Sequence, residues 1–423
     1  MIFMYESVSV ASDDEEQSTY TEIVKKPSRD KDEENASSFV DYIVNREIGR
    51  RVKSNCNFRA HGIRHMLSSG ILKECEIPLG RLNKVFCSKW LSDRQIVFGT
   101  KCNKLMVLDV ITNKMVQIPS LMGSEDKVQP ENPCGMHALE INPSRTMLAT
   151  GGLNANDLMV YKLPTFDPVC VGEEAHRDWI FDITWIDDEF LVTGSRDTSL
   201  ALWRVKESET VNTVCDIYPW HHIMSPLCVK TCRNAGKIRA LLYNSEEEIL
   251  VALSLNGFLH LWDLQSFHQK FSCKLPFFQE TVCMTQNYEH KLYAVGSRSH
   301  ITLLDVQTLE PVQKITAKYQ GCGVRSLSFS GDLLTIGTGI GILMFYDVRA
   351  GRYLEDSSGS RPAVLRATRG WVYPDENYRE VFFSLEYNPA IYTHCYDASG
   401  TRLFTAGGPL PASLQGNYAS MWQ

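Results

Sequence analysis

A histidine, an aspartate and a tryptophan stand at intervals that could serve either catalysis or structure. His176 precedes one apolar run, Asp197 follows a Gly-Ser turn, and Trp203 lies in the next apolar run. A histidine beside an aspartate could act as a general base, but the sequence offers no nucleophile in a matching position. We therefore interpret the three side chains as a buried hydrogen-bond network that stabilises the local structure.

A second group has residue types that suit a metal. His221, His222, Cys228 and Cys232 could reach a zinc ion, but they lie in an irregular stretch without a second pair of ligands. We predict no metal site and no cofactor. The thirteen cysteines contain no Cys-x-x-Cys pair, and their odd number favours reduced thiols in a reducing compartment.

His176, Asp197 and Trp203 belong to a unit that recurs along the chain. Each copy reads as two strands, a glycine-rich turn and a third strand, with alternating or β-branched residues. The unit resembles the WD40 repeat, whose blades span about 40–45 residues. The third strands share one landmark position, occupied by Leu108, Tyr161, Trp203, Trp262, Leu304, Tyr346 and Trp422. Seven units predict an all-β fold, a seven-bladed WD40 β-propeller over residues 73–423.

Glycines recur in step at the turn after each second strand. They include Gly99, Gly151, Gly194, Gly296, Gly337 and Gly407. Glycine there would permit the positive φ of a tight turn, so we expect these glycines to be structural. The Gly337-x-Gly339-x-Gly341 run is not a nucleotide fingerprint, because no βα unit follows it.

The last unit stops at its third strand, although a WD40 blade has four. Residues 73–79 alternate apolar and acidic side chains, and we predict that this strand completes the last blade, because an unpaired edge would be costly. The longer spacings between landmarks place insertions near residues 206–233 and 353–383.

The chain before the propeller divides into two segments. Residues 1–36 are rich in acidic side chains and are predicted to be a disordered tail. Residues 37–72 contain two helix-like stretches and are predicted to be a helical arm. Its apolar face could pack on the blades or dock into a partner's groove.

The net charge of −7 and the pI of about 5.9 provide no overall basic field, so nucleic acid and membrane are not expected partners. The sequence lacks a secretory signal and a long apolar run. We expect a cytoplasmic protein, with nuclear import as the alternative. That alternative is in question because the N-terminus is acidic, with only Lys25-Lys26 as a basic pair.

Several motifs together resemble one WD40 family, the DCAF twelve family, from about Tyr42 to Gln423. They are Gly80–Phe86, Gly99–Asn103, Asn142–Thr146, His176–Phe181, Tyr392–Asp397 and Gly407–Pro411. Members of that family are substrate receptors of cullin-four RING ubiquitin ligases, attached through the DDB adaptor. The resemblance implies the same partners here. It also implies no catalytic activity in this chain.

The resemblance implies where the adaptor binds. The helical arm would contact the adaptor through Tyr42, Arg46, Ile63 and Met66. Many such receptors also carry a WDxR box, matched here by Tyr346-Asp347-Val348-Arg349 with tyrosine in place of tryptophan. Asp347 and Arg349 would then belong to the adaptor site.

Family members read protein C-termini that end in two glutamates, which implies acidic protein tails as substrates. The residues themselves support a basic site. Cations recur at equivalent places, after the second-strand turns and at the starts of first strands, with Lys84 and His137 nearby. We predict that the substrate tail binds to Lys101, Arg196, Lys237, Arg239, Arg298 and Arg325.

The sequence leaves two alternative functions to consider. A basic mouth could bind phosphate or RNA, which stacking aromatics between the cations would favour; only Trp179 and Phe181 qualify. A catalytic propeller is disfavoured because no Ser/His/Asp set, carboxylate pair or metal triad falls on the channel-lining positions.

Overall fold

The computed structural model describes residues 58–121, 123, 135–154, 156–206, 221–277, 280–319, 321, 323–376, 378–383 and 387–423. Residues Asn57–Gln423 form one compact unit. The predicted acidic tail and the first half of the helical arm, with Tyr42 and Arg46, lie outside the described residues. In the described part, none of the helices has the length and apolar character needed to cross a membrane.

Seven sheets surround one axis, and the inner strand of each sheet lies beside the inner strands of two neighbours. The predicted seven-bladed β-propeller is confirmed. From the inner to the outer strand, blade 1 comprises Val85–Trp90, Gln95–Thr100, Leu105–Asp109 and Met115–Ile118, and blade 2 comprises Leu139–Ile141, Met147–Gly151, Leu158–Lys162 and Asp167–Gly172. Blade 3 comprises Ile180–Trp185, Phe190–Ser195, Ser199–Arg204 and Cys228–Thr231. Blade 4 comprises Ile238–Asn244, Ile249–Ser254, Phe258–Asp263 and His268–Lys274. Blades 5 to 7 comprise Thr281–Asn287, Leu292–Ser297, His300–Asp305 and Pro311–Thr316; Val324–Ser330, Leu333–Thr338, Ile342–Asp347 and Arg352–Tyr353; and Pro389–Tyr396, Leu403–Pro409, Gly416–Trp422 and Glu74–Glu76.

The middle strands of each blade are buried on both faces, because neighbouring blades cover them from either side. Their sequences are accordingly continuous apolar runs, as in Gln95–Thr100 and Leu333–Thr338. The landmark residues of the third strands fill the layers between blades, and Trp203 and Trp262 are almost fully buried. Outer strands such as His268–Lys274 are largely exposed and carry polar residues.

The glycines that end the second strands do not have positive φ, so that expectation is wrong. A Cβ on Gly194 would lie 2.7 Å from Cγ2 of Ile238 in the next blade. The left-handed residues come four positions later, at Thr198 after Gly194 and at Gly341 after Gly337. Gly194 therefore allows the inner strand of the next blade to approach closely, and the turn itself is shaped by later residues.

Blade 7 combines strands from both ends of the described chain. Glu74–Glu76 pairs antiparallel with Gly416–Trp422, and Glu74 stands opposite Trp422. The backbone N–H of Lys73 donates to the carbonyl oxygen of Gln423 at 2.9 Å. This pairing closes the ring between the first and last blades. Trp371–Val372 pairs with the other end of the same strand.

The two regions predicted as insertions contribute strands. Cys228–Thr231 is the outer strand of blade 3, and His222–Met224 adds a parallel fifth strand to blade 2. His222 and Cys228, considered above as zinc ligands, therefore lie on different blades. In the second region, Val364–Arg366 joins blade 6, and a short π-helix spans Tyr378–Phe382.

One helix, Phe58–Ser68, packs on the outside of blades 6 and 7. Ile63 and Leu67 are buried in a cluster with Leu343 and Leu403. Of the two alternatives for the apolar face of this arm, packing on the blades is the one that these side chains adopt.

Candidate functional site at the channel mouth

Each inner strand presents one side chain to the axis of the propeller. In six blades the pairing register skips this residue, which is the mark of a β-bulge that re-aims a side chain. The skipped residues are Phe86, Phe181, Arg239, Val282, Arg325 and Tyr392. His137 takes the equivalent place before the inner strand of blade 2. We call these seven residues the bulge ring; they are all half-buried and line one cavity of about 210 Å³.

One part of the bulge ring is aromatic. The rings of Phe86 and His137 stack with their centroids 4.4 Å apart. His137 also stacks on Trp179 at 5.7 Å and meets the edge of Phe181 at 5.0 Å. Tyr392 meets Phe86 edge-on at 5.3 Å. These contacts fix a continuous aromatic arc over blades 7, 1, 2 and 3.

The other part of the bulge ring is cationic. The guanidinium of Arg239 lies 4.2 Å from the ring centre of Phe181. Burial, reinforced by the nearby charge of Arg325, lowers the pKa of Arg239. The Nε atoms of both arginines are buried without a hydrogen-bond partner, and neither side chain forms an ion pair within the described part of the chain. Two like charges therefore face one small cavity, and neither is ion-paired with a described residue; weaker attraction from Asp182 and Glu280 opposes the lowering of the Arg239 pKa.

The carboxyl group nearest to these arginines is Asp182, in the same cavity. Its burial in the channel raises the pKa of Asp182 to about 7. Its oxygens accept backbone N–H groups from Leu241 at 2.6 Å and from Ile183 at 3.0 Å. With a pKa of about 7, Asp182 is only partly ionised near neutral pH, and each of its oxygens already accepts one backbone N–H group.

The structure places the other predicted cations around the bulge ring in different ways. Arg196 lies over Trp179 at 4.9 Å and pairs with Asp178 at 3.4 Å, so its charge is partly balanced. Arg298 is exposed and lines a neighbouring cavity with Arg325. Lys237 is half-buried at the entrance to the inner strand of blade 4.

Two lysines of blade 1 hold a turn of blade 7. Lys84 Nζ donates to the carbonyl oxygen of Pro411 at 2.5 Å, and Lys101 Nζ donates to that of Ala412 at 2.6 Å. Lys84 is almost fully buried, and this burial together with the charge of Lys101 lowers the pKa of Lys84 to about 7. Lys84 therefore fixes the wall of the mouth, whereas Lys101 is half-exposed at its rim.

Residues 68–423 match the family described as the DDB1- and CUL4-associated factor 12 β-propeller. The chain belongs to this family. The match covers the whole described propeller and begins at the end of the helix Phe58–Ser68.

More distant relatives share the propeller. The guanine nucleotide-binding protein subunit beta of Saccharomyces cerevisiae is 23% identical over 70% of this chain and 75% of its own length. The corresponding subunit of Lymnaea stagnalis is 31% identical over 31% of this chain and 36% of its own. Telomerase protein component 1 of Rattus norvegicus is 27% identical over 29% of this chain and 4% of its own. These likenesses add only the WD40 architecture.

The residues predicted from the family to contact the adaptor divide into two groups. Ile63 is buried against the blades, which leaves little of its side chain exposed to a partner, and its assignment to the adaptor site stays a prediction. Met66 is half-buried and Arg349 is exposed. Asp347 accepts the backbone N–H of Arg349 at 3.0 Å and pairs with Arg64 at 3.1 Å. Arg349 is thus held on a turn that Asp347 shapes.

His176, Asp197 and Trp203 lie in one buried hydrogen-bond network of blade 3. Ser199 connects Asp197 to His176, with its hydroxyl 2.7 Å from His176 Nδ1. Thr193 continues the network, 2.6 Å from His176 Nε2, and accepts the indole N–H of Trp203 at 2.9 Å. The network ties the second and third strands of one blade to the loop that precedes its inner strand, and its residues do not line the channel cavity.

Sequence reasoning missed Phe86, Tyr392, Val282 and Asp182 as channel residues. The signal was available, because Phe86 and Tyr392 occupy the same position of their units as Arg239 and Arg325. Only the basic side chains at this position were predicted to line the site, and the aromatic ones were not. Asp182 directly follows a bulge residue, and its proximity to the arginines depends on the closed ring.

Proposed function

We propose that this chain is the substrate receptor of a cullin-4 RING ubiquitin ligase, attached through the DDB1 adaptor, and has no catalytic role itself. Membership of a family described as DDB1- and CUL4-associated supports the partners. We propose that the mouth of the channel binds protein C-termini that end in two glutamates and so selects proteins for ubiquitination. The exposed Arg349, on the family's adaptor box, supports an adaptor site on blade 6. For its location we propose the cytoplasm.

One observation supports the acidic tail most directly: Arg239 and Arg325 share a cavity, and neither forms an ion pair with a described residue. Placing two uncompensated guanidinium groups together is costly, and an incoming pair of carboxylates would relieve that cost. Arginine can donate two parallel N–H bonds to one carboxylate, and the half-buried setting strengthens each bond relative to open solvent. The cavity is narrow and lies at the axis of the propeller, so it can admit the end of a chain more readily than an internal loop.

An RNA-binding role is the second candidate, because aromatic side chains lie beside arginines at this mouth. The geometry disfavours it. His137 is enclosed between Phe86 and Trp179, and a face of Trp179 and of Phe181 is covered by Arg196 and Arg239. Few open faces remain on which a base could stack.

The test of tail binding is a fluorescence-polarisation titration of the full chain with a labelled peptide ending in Glu-Glu. The same peptide with a C-terminal Gln-Gln amide, and a single-stranded RNA, serve as comparison ligands. We expect binding of the Glu-Glu peptide that weakens with salt, and much weaker binding of the other two. Equal affinity for the Gln-Gln amide would refute acidic-tail recognition, and tighter RNA binding would support the second candidate.

The test of adaptor binding is co-purification with DDB1. We compare the full chain with a version that begins at residue 57, which keeps the helix Phe58–Ser68 on its blades, and with Arg349→Glu. We expect loss of DDB1 in the truncated version and reduced recovery with Arg349→Glu. Full recovery in both would contradict the proposed adaptor site without affecting tail binding.

A further inference from the structure

We propose that Phe181 is a positioning residue of the tail site: its ring holds the guanidinium of Arg239 so that the N–H edge of the arginine faces the incoming carboxylate. This inference rests on the proposed function, since it concerns how the same mouth binds an acidic tail. Phe181 itself would not bond to the carboxylate.

The contact between these two side chains places the guanidinium over the aromatic ring. The carbon at its centre lies 4.2 Å from the ring centre of Phe181. Such a cation–π contact is electrostatic and requires no N–H group of the arginine. The terminal N–H groups of Arg239 have no partner among the described residues and remain available for a ligand, whereas its Nε is buried and also lacks a partner.

Without the ring, little would hold Arg239 at the mouth. Its nearest cationic neighbour, Arg325, repels it, and the carboxyl group of Asp182 is committed to backbone N–H groups. A long side chain in that situation would gain entropy and hydration by turning towards solvent. Phe181 supplies an attraction that opposes this movement and leaves the bonding edge free.

Phe181 is itself held in place. It occupies the bulge of the inner strand of blade 3, between the register pairs of Ile180 and Asp182. Its ring meets His137 edge-on at 5.0 Å, and His137 stacks between Phe86 and Trp179. The contacts within the aromatic arc therefore fix the orientation of Phe181, and Phe181 in turn orients Arg239. Among the described residues, no aromatic ring lies over Arg325; the residues beside its guanidinium are Gly323 and Gly339.

The chain offers a matched control in the same blade. Arg204 lies 5.4 Å from the ring centre of Phe190, away from the channel, and is also paired with Glu189 at 2.9 Å. Phe190→Leu therefore makes the same chemical change in an arginine–phenylalanine pair that does not reach the mouth. Phe181→Tyr keeps an aromatic ring, whereas Phe181→Leu and Phe181→Met keep apolar volume without one.

The experiment titrates the full-length variants with the Glu-Glu peptide at several salt concentrations, after thermal melting has established that each is folded. We expect Phe181→Leu to weaken binding about tenfold, the loss expected for a partly desolvated cation–π contact. Phe181→Tyr and Phe190→Leu should bind within about twofold of the unaltered chain. The salt dependence of Kd should be unchanged in Phe181→Leu, because no charge is removed, but shallower in Arg239→Gln.

The outcomes separate this inference from the function on which it rests. Tight binding by the unaltered chain together with equal binding by Phe181→Leu would overturn the positioning role alone. Weak binding by Phe181→Tyr would overturn it as well, because the ring would then be insufficient. If the unaltered chain itself does not bind the peptide, both proposals fall. Should Phe181→Leu be unfolded, Phe181→Met provides the same comparison.

Discussion

Two arginines in this propeller show contrasting ways to hold a charge. Arg64, on the helix that packs against blades 6 and 7, lies 3.1 Å from Asp332 and 3.1 Å from Asp347. Arg239, at the channel mouth, has an aromatic ring and another arginine beside it but no ion-paired carboxylate among the residues described. The charge of Arg64 is paired within the fold, although its Nε has no hydrogen-bond partner, whereas Arg239 has no ion pair among the described residues.

The difference separates structural cations from binding cations. A partly buried charge that is paired contributes to the folded state, and removing one partner leaves the other uncompensated. A cluster of unpaired charges lowers stability and persists at functional sites, where a ligand supplies the missing partner. Loss of Arg64 should therefore change stability and leave tail binding intact, and loss of Arg239 should do the reverse.

The largest effect should come from deleting the strand of blade 7 that closes the ring. Removing residues 414–423 deletes the third strand of blade 7, to which both Leu403–Pro409 and Glu74–Glu76 pair. We expect no cooperative unfolding transition by circular dichroism, because the ring would be open and two strand edges unpaired. A cooperative transition like that of the full chain would show that closure does not require this strand.

The next effect should come from the mouth. Arg239→Glu or Arg325→Glu should weaken binding of a Glu-Glu peptide by at least about 100-fold, because a bonding cation becomes a repelling anion. Thermal stability should be equal or slightly higher, because a like-charge repulsion is removed. Arg361→Glu, at an exposed position on the edge of blade 6, is the control and should bind normally.

The carboxyl group inside the channel should produce a pH dependence. The pKa of Asp182 is raised to about 7 in the folded chain, so between pH 5 and pH 7 the unfolded chain is ionised at this residue while the folded chain largely holds the proton. Stability should fall as pH rises through this window, by on the order of 2 kcal/mol. Urea denaturation at both pH values should give a smaller fall for Asp182→Asn; an equal fall would contradict the assignment.

The smallest effect should come from Arg64. Arg64→Ala leaves Asp332 and Asp347 without their shared partner, and we expect a loss of about 1–2 kcal/mol in the free energy of unfolding, since these groups are partly exposed. The measurement is urea denaturation at pH 7, with Arg361→Ala as the control. Peptide affinity should be unchanged; a parallel loss of affinity would mean that the two regions are coupled.

Much of the fold was predictable because its signals are local and repeated. The third-strand landmarks, from Leu108 to Trp422, recur at blade spacing and specify seven units. Arg239 and Arg325 could also be found, because equivalent positions in a repeat occupy equivalent places in the ring. The role of the second-strand glycines was misjudged, because the constraint at Gly194 comes from Ile238 in the next blade and not from the turn.

The sequence by itself determined the number of blades, the strand order within them and the phase at which cations approach the axis, since periodicity records these directly. Only the tertiary structure decided which cations are paired. Arg64 meets Asp332 across 268 positions of chain, and Arg239 meets the ring of Phe181 from a different blade. Such pairings depend on distances across the closed ring, and sequence spacing does not encode those distances.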